Sequence, residues 1–300
     1  MAGTFVRVLT ALVTPFTAAG AVDLGAAGAL AQALAARGSD GFVVAGTTGE
    51  APTLSREEKL ALCRAVRGAV DGRAAVWLNT GNNDTATSVA LTAAAEDAGA
   101  EGVMAVVPYY NRPPQEGLRR HFAAVAGATT LPVMIYNVPG RTATNLAPRT
   151  LAALLAEAPG VRACKEASRD LEQVAELRRL LPGDFHLYSG DDALTLPIMA
   201  LGGRGVVSVA SHVVPERVAA LVRACAEGRW DEARALQESL LPLFRALFCT
   251  TNPIPVKVAL RLLGFPAGGF RLPLCEPGPE DLATIAAALR AEGLEGSFRS

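Results

Sequence analysis

Val161-Arg162-Ala163-Cys164-Lys165-Glu166 is the stretch on which the reading of this chain turns. It is a short apolar run closed by a lysine and a glutamate. Seven more apolar, β-branched runs recur along the sequence: Arg7–Thr14, Gly41–Ala45, Ala75–Thr80, Gly102–Val107, Pro132–Asn137, Phe185–Ser189 and Gly205–Val209. With Val161–Lys165 they make eight candidate strands. The runs are continuous rather than alternating, which suits strands buried on both faces of a parallel sheet.

The intervening segments read as helices. Asp23 can cap Leu24–Ala36, and Ser55 with Glu58 forms a capping box for a helix running to about Val70. Thr85–Ala98, Glu116–Ala126, Leu146–Ala156, Leu171–Leu180, Leu194–Leu201 and Glu216–Ala226 supply the others. Eight βα units predict an α/β protein, a (β/α)₈ TIM barrel over residues 1–228. A doubly wound open sheet is the rival, disfavoured because no GxGxxG follows the first strand. Trp230–Phe248, Pro255–Leu263 and Pro279–Glu292 also look helical. They predict a small C-terminal helical layer over residues 229–300.

Composition narrows the function classes. The net charge of −1 gives no reason to expect a nucleic-acid or anionic-membrane partner. Cys63, Cys164, Cys225, Cys249 and Cys275 are odd in number and widely spaced, which fits reduced thiols in a cytoplasmic protein. His121, His186 and His212 stand far apart, with no metal-ligand spacing, and read as structural. The first 21 residues weakly resemble a signal peptide, but Thr10, Thr14 and Pro15 interrupt the apolar stretch and it serves better as a first strand. No apolar run is long enough for a membrane helix. Lysine occurs only at Lys59, Lys165 and Lys257, while arginine is abundant. Lys165 is therefore not the usual surface cation of this chain.

Catalysis on such a barrel sits at the C-terminal ends of the strands. Those ends would deliver Gly46-Thr47-Thr48-Gly49-Glu50, Pro108-Tyr109-Tyr110-Asn111, Tyr136-Asn137-Val138-Pro139-Gly140-Arg141, Lys165-Glu166 and Ser189-Gly190-Asp191-Asp192. A buried lysine loses affinity for its proton, leaving the neutral amine that imine formation with a ketone requires. The alternative is a lysine salt-bridged to a barrel carboxylate such as Glu166. Tyr110 and Tyr136 are hydroxyls able to relay protons, and Thr47 can link two tyrosines. The Gly-Thr-Thr-Gly turn can offer hydroxyls and backbone N–H groups to a carboxylate. Arg141, after a Pro-Gly turn, would suit a second carboxylate.

With these residues in place, the chain resembles the dihydrodipicolinate synthase (4-hydroxy-tetrahydrodipicolinate synthase) family of the N-acetylneuraminate lyase superfamily. The resemblance runs from about Val6 to the C-terminal helices. It rests on Gly46-Thr47-Thr48-Gly49-Glu50, Pro108-Tyr109-Tyr110-Asn111-Arg112-Pro113, Tyr136-Asn137-Val138-Pro139-Gly140-Arg141-Thr142, Lys165-Glu166-Ala167 and Asn252-Pro253-Ile254-Pro255-Val256-Lys257, in that order. It implies that Lys165 forms a Schiff base with pyruvate and that Tyr136 moves protons beside the imine. Thr47 and Tyr110 would complete the relay, Tyr110 reaching in from a neighbouring subunit. Thr48, Gly190 and Val207 would bind or line the substrate pocket. Arg141 would hold the carboxylate of L-aspartate 4-semialdehyde. The implied reaction is condensation of the two substrates and cyclisation, in lysine biosynthesis, with no metal or organic cofactor, by a homo-oligomer built as a dimer of dimers. Relatives acting on sugar acids generally lack an arginine at the position of Arg141. Another pyruvate-dependent aldolase or dehydratase of the superfamily is the alternative. A catalytically inactive barrel with a sensor role would have a broken Tyr-Thr-Tyr triad, and the triad here is intact.

The resemblance also bears on feedback by lysine, which sensitive relatives bind at a dimer interface using histidines and a glutamate. The positions that match here are Arg56, Lys59 and Thr87. Two added cations and a lost anion predict weak or absent inhibition, although Asn83 and Tyr109 remain.

Overall fold

The computed structural model describes residues 4–294. Eight parallel strands close into a barrel in sequence order: β1 Val8–Ala11, β2 Gly41–Val44, β3 Ala75–Asn79, β4 Gly102–Val106, β5 Val133–Asn137, β6 Val161–Glu166, β7 His186–Ser189 and β8 Gly205–Ser208. β8 pairs back onto β1, with Leu9 opposite Val207. Seven strands are shorter than the apolar runs that announce them, runs such as Arg7–Thr14 continuing into the buried loop residues Leu12, Val13 and Thr14, whereas β6 extends one residue further, to Glu166. The rival open sheet is excluded by the closure of β8 on β1.

The helices alternate with the strands: α1 Leu24–Ala36, α2 Arg56–Val70, α3 Thr85–Ala93, α4 Gln115–Ala126, the single turn α5 Pro139–Thr142, α6 Pro148–Glu157, α7 Leu171–Leu180, α8 Thr195–Ala200 and α9 Pro215–Ala226. Their starts are set by side chains. Asp23 accepts from the Ala26 amide at 2.9 Å, Asp84 from Thr87 at 2.7 Å and Asp170 from Gln173 at 3.0 Å. Ser55 and Glu58 form the expected reciprocal box on α2. Such caps contribute about 1 kcal/mol each. The region read as Thr85–Ala98 stops helically at Ala93. Beyond it Ala94, Ala95 and Ala98 bond three residues back rather than four, tightening into turns up to Gly99, whose φ is +82°.

Strand side chains divide into two cores by their alternation. Leu9, Val43, Trp77, Met104, Met134, Ala163, Tyr188 and Val207 fill the barrel. Phe42, Val44, Leu78, Ile135 and Cys164 face outward onto helical residues such as Leu30, Leu34, Val66 and Phe122. Trp77 is fully buried and donates through Nε1 to the Thr4 carbonyl at 3.2 Å. Lys165 lies two residues beyond Ala163 and so shares its inward face. After the barrel come α10 Trp230–Ala246, α11 Ile254–Leu262 and α12 Pro279–Ala291. α10 packs on α9 and α12, and α11 on α12.

Candidate active site

Lys165, the penultimate residue of β6, is buried at the barrel mouth. Its Cα partners are Tyr136 on β5 and Tyr188 on β7, and its Nζ lies 4.0 Å from the centroid of the Tyr136 ring. Burial lowers its pKa to about 7; Asp192 pulls upward and Arg141 adds to the lowering. At neutral pH a large share of the amine is therefore unprotonated, as nucleophilic attack requires.

Glu166 is not the partner of this lysine. Its buried carboxylate turns to the other side of the strand. There it accepts from Asn137 Nδ2 at 3.0 and 3.2 Å, from Gln173 Nε2 at 3.1 Å and from the Ser168 amide at 2.6 Å. Among the described residues no carboxylate forms an ion pair with Lys165. The alternation of the strand accounts for this, since neighbouring residues point to opposite faces.

A cavity of about 280 Å³ opens over the amine, lined by Thr47, Thr48, Tyr136, Arg141, Gly190 and Asp191 among others. The sequence motifs from four separate strands thus meet as expected. The Tyr136 hydroxyl is hydrogen-bonded to Thr47. Burial raises its pKa, partly offset by Arg141 and by that bond. Thr48 is buried, and its Oγ1 accepts from Asn252 Nδ2 at 2.9 Å. Arg141 sits on the α5 turn at the rim and donates to the Asn252 carbonyl at 3.3 Å.

Two of the expected residues do not line this cavity. Val207 is in the barrel interior, and Val209 takes the place on the cavity wall. Tyr110 is 89% exposed with φ +72°, in the loop beyond β4, and its ring is outside the cavity of its own barrel. A second cavity, about 330 Å³, shares Thr47, Val138 and Arg141 with the first and extends to Asn82, Tyr109 and Lys59. Thr47 therefore stands between the two spaces.

Sequence reasoning assigned no role to several residues that prove central. Asn252, just before α11, reaches the cavity with its Oδ1 buried and without a hydrogen-bond partner. A buried orphan acceptor is unusual in a folded protein and suits a donor brought by a ligand. Asp192 is buried, and its carboxylate is held by the Ser208 hydroxyl at 2.5 Å and by the Val209 and Ala210 amides at 2.9 and 3.0 Å. Burial nevertheless raises its pKa. Asp191, on the cavity wall, pairs with Arg169 at 2.7 Å. Arg169 holds a left-handed φ of +64°.

The outer anchors are legible once the fold is known. Glu50, at the end of the Gly-Thr-Thr-Gly-Glu turn, pairs with Lys257 of α11 at 2.7 Å, both side chains fully buried. Lys257 also donates to the Thr14 carbonyl at 3.0 Å. His212 donates from Nδ1 to the Val209 carbonyl and accepts the Val13 amide on Nε2. Burial lowers its pKa to about 4, so it is a neutral strut.

Comparison with known proteins places this geometry. The chain matches the Dihydrodipicolinate synthetase family over residues 4–292. It is 55% identical over 288 residues to 4-hydroxy-tetrahydrodipicolinate synthase of Moorella thermoacetica, covering 96% of this chain and 98% of that one. The crystal structure of DHDPS from Cyanidioschyzon merolae with lysine bound superposes with a TM-score of 0.95 at 46% identity, covering 97% and 99% of the two chains. Dihydrodipicolinate synthase from Aquifex aeolicus gives 0.95 at 42% identity with the same coverage. A barrel closed in sequence order, a buried lysine at the end of β6 and these likenesses over nearly the whole length agree: the chain belongs to the dihydrodipicolinate synthetase family.

Proposed function

We propose that Lys165 is the Schiff-base nucleophile of a synthase that condenses pyruvate with L-aspartate 4-semialdehyde, yielding 4-hydroxy-tetrahydrodipicolinate for lysine biosynthesis. The observation that carries this reading is a buried amine with a pKa near 7, unpaired with any carboxylate and facing a cavity whose rim holds an arginine.

The neutral amine adds to the pyruvate carbonyl carbon, and loss of water from the carbinolamine gives the imine. Tyr136 takes and returns the protons, its hydroxyl oriented by Thr47. Thr48 and the turn around it hold the pyruvate carboxylate. Removal of a proton from the pyruvate methyl group gives the enamine, whose carbon attacks the aldehyde. Arg141 clamps the carboxylate of the semialdehyde. Its ammonium finds the Asp191 carboxylate and the orphan Asn252 Oδ1 on the same wall. The amino group then closes the ring on the imine carbon and releases Lys165.

This reading places Tyr110 of a neighbouring subunit in the second cavity, on the far side of Thr47 from Tyr136. It requires a tight dimer, within a dimer of dimers. Operation in the cytoplasm is supported by the five free thiols. Residues 1–228 carry the nucleophile and relay, and residues 229–300 add Phe248 and Asn252 to the wall.

The test is incubation with pyruvate and borohydride. A stable mass adduct on the peptide holding Lys165 is expected, and an adduct elsewhere or none refutes the assignment. Turnover with aspartate semialdehyde against sugar-derived aldehydes then fixes the second substrate.

A further inference from the structure

The barrel has a second concave site at its opposite end. Arg7 precedes β1, Arg204 precedes β8, and His186 opens β7. Together with Arg178 of α7, and with Gly183, Asp184, Gly202 and Gly203 of the connecting loops, they line a cavity of about 370 Å³. This is the N-terminal face of the strands, away from Lys165.

The arginines here are partnered differently from most others in the chain. Arg37, Arg119, Arg179, Arg229 and Arg271 each form an ion pair with a glutamate. Arg7, Arg178 and Arg204 form none among the described residues; they donate to backbone carbonyls, and Arg204 also to the Tyr188 hydroxyl. Arg7 Nη1 reaches the Arg204 carbonyl at 3.3 Å. Arg204 reaches that of Phe5 at 2.8 Å through Nη2. Arg178 reaches those of Phe185 at 3.0 Å and Pro182 at 2.5 Å. Arg7 Nε and Nη2 and Arg178 Nε have no acceptor among the described residues. Two carboxylates are nearby, and both are engaged. Asp184 pairs with Arg162 at 2.9 Å, and Asp40 accepts the Val8 amide at 2.9 Å.

His186 stands in the same cavity, its ring 4.1 Å from that of Phe5. Its pKa is lowered by burial first and then by Arg204 and Arg162. The positive field of the cavity is therefore felt by a neutral ring that can itself donate a hydrogen bond. Guanidinium groups with unused donors suit a tetrahedral anion with several oxygens, which each can grip in bidentate fashion.

We propose that this cavity is a binding site for a small oxyanion of phosphate type carrying two negative charges. Bound there, the anion bridges the segment before β1, the start of β7 and the start of β8. It thereby stabilises the native barrel, because the unfolded chain offers no such cluster.

The experiment compares inorganic phosphate, glycerol phosphate and chloride at matched ionic strength. Thermal unfolding and the ring resonances of His186 are followed. A rise in the unfolding midpoint with phosphate, not with chloride, is expected, together with an upward shift of the His186 pKa. A response to both phosphates indicates that the cavity accepts an ester as well as the free ion; a response to inorganic phosphate alone confines the site to the free ion. Arg7→Gln with Arg204→Gln should weaken phosphate binding at least tenfold. Arg7 is exposed, so Arg7→Gln alone provides a folded variant if the pair fails to fold, with a weakening of several-fold. Arg141→Ala must leave the response intact, because that arginine lies at the other end of the barrel. Equal midpoints in phosphate and chloride, an undiminished response in the Arg7 variants, or loss of the response in Arg141→Ala overturns the proposal.

Discussion

A Cβ atom placed on Gly190 would stand 3.1 Å from Cε of Lys165 and 2.8 Å from Cβ of Ala167. The glycine after β7 is thus a spacer that leaves the Lys165 side chain its room. Gly190→Ala should push the Lys165 stem from its rotamer or strain β6, at about 1–3 kcal/mol for such overpacking. Imine formation with pyruvate is expected to slow at least tenfold, with a drop of several degrees in the unfolding midpoint. A variant that traps pyruvate at the normal rate would show that the lysine approaches its substrate along another path.

The pKa of Lys165 makes stability depend on pH in a defined direction. In the folded protein it is about 7, against about 10.4 in an unfolded chain. Between these values the unfolded state holds a proton that the native state lacks, so stability rises with pH by about 1.4 kcal/mol per unit. Below pH 7 both states are charged and the effect is flat. Lys257 is shifted the same way, so the comparison must be with Lys165→Met. That variant should be more stable than the parent by a margin that is constant below pH 7 and disappears towards pH 10. The rate of amine addition should rise through pH 7 and level off. A margin independent of pH contradicts the assignment.

Arg141→Ala tests the recognition of the second substrate. Loss of a charge-assisted partner of a bound carboxylate costs about 2–5 kcal/mol. The variant should still trap pyruvate with borohydride while kcat/KM for the semialdehyde falls by more than a hundredfold. Equal losses in both assays would make Arg141 structural.

Tyr110, exposed in its own subunit, invites a complementation experiment. Tyr110→Phe and Lys165→Met should each be nearly inactive. Mixed and reassembled, they should recover a clear fraction of activity, because a Lys165 site can then receive Tyr110 from the other variant. Failure to recover any activity in verified mixed oligomers, or full activity of a monomer, argues that the relay is completed within one chain.

Lysine should inhibit weakly or not at all. Lys59 lines the second cavity beside Tyr109 and Asn82, and burial lowers its pKa. A like charge about 5 Å from a bound ammonium is repulsive by about 3 kcal/mol at an effective dielectric near 20. Steady-state assays with millimolar L-lysine check this. Strong inhibition below 1 mM, a concentration on the order of common metabolite and KM values, would mean that Lys59 does not face the ligand.

Most of the barrel was readable in advance because its signals are local. Leu24–Ala36 and Leu171–Leu180 begin and end where capping residues and periodicity put them. Lys165 was readable for the same reason: two-residue alternation from Ala163 fixes its direction. Asn252 was not, since it meets Thr48 across 204 positions of sequence and no spacing rule reports such a meeting. Asp192 was hidden differently. Its role depends on the Ser208 hydroxyl and two amides beyond β8, and a carboxylate in a Gly-Asp-Asp turn looks solvated until that neighbour is placed. Tyr110 was legible as a strand-end hydroxyl, but its place in a neighbouring subunit's relay was implied by resemblance alone, because nothing within the chain shows what an exposed tyrosine meets.

The buried pair of Glu50 and Lys257 ties the threonine-bearing turn to a helix far along the chain. Removing one member would leave the other charged and dry, at about 3–5 kcal/mol. Barrel and C-terminal helices therefore cannot be traded between relatives as interchangeable cassettes. A graft that replaces the helices must bring a matching cation for Glu50 and an amide for Thr48, or the threonine-bearing turn comes loose.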